Sequence, residues 1–171
     1  MSPAATPLVR IPVGVVVERR KAASQWIDFT WHATGVLPDE PAMKPWTILR
    51  EEAGYTAFYA GSATIDLYRS ETAHYRENLA VEEPGVWVVL SPCEGMWPYS
   101  IAVVTADPAE GEGFSEAATN LVEQVTMAEA IREIVGRFVD EHHVARDFVK
   151  RKRNRADPET LARRSRREGD E

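Results

Sequence analysis

Cysteine is nearly absent: Cys93 is the only one in 171 residues. That excludes an internal disulfide and any cysteine-cluster zinc or iron–sulfur site built within one chain, and it fits a reducing, cytoplasmic setting. Long apolar runs are also lacking. The longest, such as Val13 to Val17 interrupted by Gly14, fall far short of the roughly 20 residues of a membrane span. Met1 to Pro7 has no positive region followed by an apolar stretch, so export by a signal peptide is not expected.

Histidine is sparse too. None of the four occurs as His-x-x-x-His, which removes the two-histidine clasp of a zincin. His142 and His143 are adjacent, and successive helical residues point about 100° apart. Gly111-Glu112-Gly113 lacks the further glycine of a dinucleotide fingerprint, and Asp107, Glu110, Glu112 and Glu116 around it would repel phosphate. These carboxylates match no EF-hand spacing, and acidic surface loops are ordinarily just solvated. Neither a metal, a cofactor, a small-molecule substrate nor a catalytic residue is assigned.

What is present is globular: 44% hydrophobic and 27% charged residues in a length suited to one domain. The net charge of −7 is unevenly spread. Of 20 basic and 27 acidic residues, nine basic and five acidic lie in 150–171, so this tail carries +4 and the preceding 149 residues −11. The body should repel polyanions, which argues against nucleic acid as a partner, while the tail attracts them.

Val13, Val15 and Val17 alternate at the strand period, as do Ile27, Phe29 and Trp31, with Trp26 on the opposite face. Further strands are expected over 46–50, 55–60, 64–68, 86–90 and 99–106, and 121–125 is an eighth candidate. Most of the five tryptophans are assigned to the core. Ser70 is placed to cap a short helix over 71–79, and 107–116 reads as an acidic loop. Thr126 with Glu129 forms a capping-box pattern ahead of Ile131, Ile134, Val135, Phe138 and Val139, which predicts an amphipathic helix over 127–142. The fold class is therefore α+β. It comprises an antiparallel curled sheet or partly closed β-barrel of about seven strands, one short helix and a long C-terminal amphipathic helix. Residues 1–10 are expected to be a flexible start, 11–149 the single domain and 150–171 a mobile basic tail.

The stretch beyond His143 has too little apolar content to bury itself. Arg146, Phe148, Lys150, Arg151, Lys152, Arg153 and Arg155 are the candidate partner-binding residues, an arm with one apolar anchor that would order on an acidic protein surface; a merely solvated tail is the bland alternative. Trp26, His74, Tyr75, His142 and His143 are further surface candidates. His32, His74 and Cys93 could in principle join the histidine pair, and Cys93, in the expected loop Pro92 to Pro98, could act as a nucleophile or sulfur carrier.

Five segments, 11–20, 26–31, 69–79, 104–112 and 141–155, resemble an uncharacterised proteobacterial family of unknown function, with similarity from about Ile11 to Arg164. That family is associated with gene clusters for molybdenum-containing formate dehydrogenase, beside an iron–sulfur protein and a redox-enzyme chaperone. The resemblance implies a non-catalytic accessory role in formate dehydrogenase assembly, or alternatively molybdenum-cofactor handling or sulfur transfer. It carries over no catalytic residues.

Truncation after Val144 should leave the melting temperature nearly unchanged and remove partner capture. A melting curve displaced by many degrees would mean that the arm belongs to the core.

Overall fold

The alternating valines become the inward face of β1 (Val9–Lys21), where Val13, Val15 and Val17 are fully buried. In the computed structural model, which describes residues 4–144, β1 pairs antiparallel with β2 (Phe29–Pro38) on one side and β4 (Tyr55–Leu67) on the other. β3 (Thr47–Glu52) extends the sheet to the order β2-β1-β4-β3. A second antiparallel sheet, β6-β5-β7, is built from β5 (Gly85–Pro92), β6 (Tyr99–Thr105) and β7 (Leu121–Thr126). Three short helices complete the described residues: α1 (Thr72–Leu79), α2 (Pro108–Gly113) and α3 (Glu129–His142).

Both neighbours of β1 are bulged at the same level. The β1–β4 register passes from Val15↔Gly61 to Val16↔Tyr59, leaving Ala60 unopposed, and the β1–β2 register passes from Val16↔Gly35 to Val17↔Ala33, leaving Thr34 unopposed. An extra residue bends and twists its strand. Gly61 supplies the bend in β4 with φ +142°, a conformation L side chains rarely adopt. The expected strands 55–60 and 64–68 are one bent strand, Tyr55–Leu67. Seven strands result because β7 supplies the remaining one.

The barrel does not close. β2 runs beside β7 and β4 beside β6, yet no hydrogen-bond ladder joins the two sheets. A cleft of about 330 Å³ separates β4 from β6, lined by Ser62, Thr64, Asp66 and Thr105 among others. The result is two antiparallel sheets and no closed barrel.

The helix starts differ from expectation as well. α3 has 14 residues, an ordinary length rather than a long one, and its N-cap is Ala128 with no side-chain cap bond. Thr126 is occupied as the last residue of β7, so no capping box forms. Ser70 does not cap α1; it sits in a 3-10 turn, Arg69–Glu71, and its hydroxyl donates to Glu71 at 3.1 Å. The expected acidic loop contains α2, capped by the Asp107 carboxylate with Pro108 in the first turn. Gly111 lies against the Trp87 ring so tightly that a Cβ would overlap it.

Ile131, Val135, Phe138 and Val139 of α3 enter the same buried cluster as Val13, Val15, Val17, Val86, Val88 and Leu90. α1 adds Tyr75, whose ring lies 6.1 Å from Phe138. Among the described residues no helix is long and apolar enough to cross a membrane.

Phe138 is 2% exposed, so Phe138→Ala should cost about 3–5 kcal/mol through lost transfer energy and a cavity. Urea denaturation of the two proteins measures it, and equal midpoints would contradict this packing.

Candidate functional site

Two regions collect chemistry, at opposite ends of β4. The first is a polar corner where α1 meets the β6–α2 junction. Asn78 anchors α1 there: it is buried, its amide donates to the carbonyls of Gly85 (2.8 Å) and Ala106 (2.9 Å), and its oxygen accepts from the Gly85 N–H (3.0 Å). One turn earlier, His74 Nδ1 stands 3.0 Å from Asp107 Oδ2 and 3.0 Å from Glu71 Oε2.

Asp107 is buried and held from behind. Its Oδ1 accepts from the Ala109 and Glu110 N–H groups, while its own N–H donates to Thr105 Oγ1. The hydrogen bond to Asp107 raises the His74 pKa; burial opposes the shift, and the charges of Asp107, Glu71 and Glu77 reinforce it. A cavity of about 430 Å³ opens on this cluster, with Tyr68, Ser70 and Glu110 also in its wall.

Tyr75, a surface candidate from the sequence, is a core residue instead, 1% exposed, because its helical position turns it away from His74 toward Phe138. Its hydroxyl accepts from the Tyr68 N–H at 3.0 Å, and burial drives its pKa well above the usual tyrosine range.

His142 and His143 do not act as a pair. The His142 ring packs on Phe138 at 4.6 Å, and its buried Nδ1 has no hydrogen-bond partner among the described residues. His143 turns to α1, with Nδ1 3.2 Å from Thr72 Oγ1 and Nε2 3.3 Å from Arg76 Nη1. A guanidinium only donates, so Nε2 is the accepting nitrogen. Arg69 and Arg76 line a further cavity of about 1000 Å³ with these histidines. His32 is separate, 3.0 Å from Glu123 of β7. The arm residues Arg146, Phe148, Lys150, Arg151, Lys152, Arg153 and Arg155 lie outside the described residues.

The second region is an aromatic shelf. Past the bulges the inner face of the first sheet carries Trp31 and Phe58, stacked at 6.0 Å, with the Arg19 guanidinium 4.5 Å from the Phe29 ring centroid and 5.5 Å from that of Phe58. The hairpin tip between β5 and β6 lays Trp97 on Trp46 at 4.9 Å and edge-on to Phe58 at 5.0 Å. Trp31, Trp46 and Trp97 are half-buried, so of the five tryptophans only Trp87 is a core residue.

The shelf is flanked by exposed apolar side chains. Trp26 is 91% exposed and Ile27 55% in the turn leading into Phe29, and Met96, beside Trp97, is 87% exposed. Cys93, also exposed at this tip, has its sulfur 3.3 Å from the Trp97 carbonyl.

Sequence reading singled out His74 and Trp26 but missed their surroundings. Asp107 stands among the loop carboxylates in the sequence, but 36 positions separate it from Glu71, so no local spacing joins the two. The Asp-Pro dipeptide that caps α2 was the available signal.

Residues 12–152 match a family described as a protein of unknown function (DUF3305). Neither the curated proteins nor the solved structures yield a match.

Asn78→Ala should destabilise the protein by about 2–4 kcal/mol, since it strands three buried backbone groups that folding must otherwise satisfy. Thermal melts test this, and a change below about 1 kcal/mol would show that water replaces the amide.

Proposed function

The chain belongs to the DUF3305 family, described as a protein of unknown function, and we propose that it is a non-catalytic accessory factor that works by holding another protein on its aromatic shelf. The observation behind this reading is the exposure of Trp26 and Met96 beside half-buried Trp31, Trp46 and Trp97 and the Arg19 guanidinium. Interfaces are enriched in Trp, Tyr, Met and Arg, and their strongest contacts come from large, stiff side chains set in a partly desolvated surround. Exposure of Trp26 gains nothing for the isolated fold, whereas a partner that covers it recovers its full burial energy.

The sequence resemblance directs the proposal to a molybdenum-containing formate dehydrogenase, one of whose subunits the factor would hold in the cytoplasm during assembly. The basic arm beyond Val144 is a second contact in this reading, placed to meet an acidic surface of the same partner. Sulfur transfer is the rival, supported by the exposed Cys93 thiol beside the shelf.

The paired substitution Trp26→Ala with Met96→Ala should lower capture of the partner subunit at least tenfold in a pulldown from co-expressing cells, without moving the melting temperature. Undiminished capture would overturn the shelf as the binding surface. If Cys93→Ser abolishes enzyme maturation while the paired variant does not, sulfur transfer replaces holding.

A further inference from the structure

We propose that Glu71, His74 and Asp107 form a binding site for one divalent transition-metal ion, taken up through one imidazole nitrogen and two carboxylate oxygens. This inference is independent of the aromatic shelf. The three donor atoms lie within 4.8 Å of one another, and both carboxylate oxygens approach the same ring atom, Nδ1, at 3.0 Å.

That convergence is the central observation. Nδ1 carries one hydrogen at most, and a single N–H aims well at only one acceptor. A cation in the hydrogen's place meets the nitrogen lone pair and both oxygens at once. With metal–ligand lengths of about 2.0–2.2 Å, a nitrogen and an oxygen on one ion sit on the order of 3 Å apart, the spacing each carboxylate oxygen keeps from Nδ1 here.

The surroundings fit the same role. Asp107 is fixed by the α2 amide hydrogens on its other oxygen, the kind of outer contact that orients a coordinating carboxylate. Glu71 and His74 come from one turn of α1 and its entry, three residues apart, so they share a helix face. Two carboxylates balance a 2+ charge, while an imidazolium leaves the cluster one negative charge in excess. The adjoining cavity of about 430 Å³ leaves room for waters or an outside ligand to complete the coordination. His32 is the internal comparison: it has Glu123 alone at 3.0 Å and is part of no third-ligand cluster among the described residues.

A mixed nitrogen and oxygen set suits zinc or manganese better than magnesium, which prefers oxygen donors and retains its waters. The test uses the full chain, stripped with EDTA and dialysed, titrated with Zn²⁺ and separately with Mn²⁺ by calorimetry, with stoichiometry read by native mass spectrometry. One ion per chain should bind at micromolar concentration or below. His74→Ala and Glu71→Gln should each weaken this at least tenfold, His32→Ala should leave it unchanged, and millimolar Mg²⁺ should not displace zinc. Far-UV circular dichroism verifies that each variant is folded. Failure of the wild-type chain to bind either ion at 100 μM, or equal binding by the folded His74→Ala and Glu71→Gln variants, would overturn the proposal.

Discussion

Strand β1 is paired along both edges, and the extra residue in each neighbour, Ala60 in β4 and Thr34 in β2, falls at the same point beside Val16. Everything else is arranged around that paired irregularity. One bulge bends one strand; two flanking the same central strand bend the sheet. On one side of the bend Val13, Ile65 and Leu67 pack into the core shared with β5 and the helices. On the other, the inner face runs past the cover of that core, and Trp31, Phe58 and Arg19 take over from aliphatic residues.

The two candidate regions follow from this division and rest on different physics. The shelf is built of rings, which lose little rotamer freedom on binding and offer large apolar area, so its affinity for a partner would come from burial. The corner depends on electrostatics in a partly buried place, with Asp107 held by α2 and His74 presented by α1. β4 connects them: Tyr55 to Tyr59 lie at the shelf, and Tyr68 and Arg69 lead from its other end into the corner. Thirteen residues of strand, at most about 40 Å, separate the two regions.

Asn78 explains how the corner keeps its geometry without a cap on α1. Its side chain ties α1 to Gly85 at the start of β5 and to Ala106 after β6. A fully satisfied buried amide of this kind specifies one relative placement of three elements, since any slip leaves polar groups unpaired. His74 inherits its position from that anchor.

The valine alternation, the apolar stripe of α3 and the breaks at proline and glycine were legible in the sequence because local periodicity is set by backbone geometry alone. They determined the antiparallel α+β class and the approximate place of the principal elements. The acidic segment was misread because Asp107 serves as a cap only once β6 delivers it to α2, and the tryptophans because sequence alone does not say where the second sheet stops. The convergence of Glu71 and Asp107 on one nitrogen of His74, and the exposure of Trp26 against the burial of Tyr75, were decided by tertiary structure. Contacts between distant positions depend on how elements pack, and no local spacing records them.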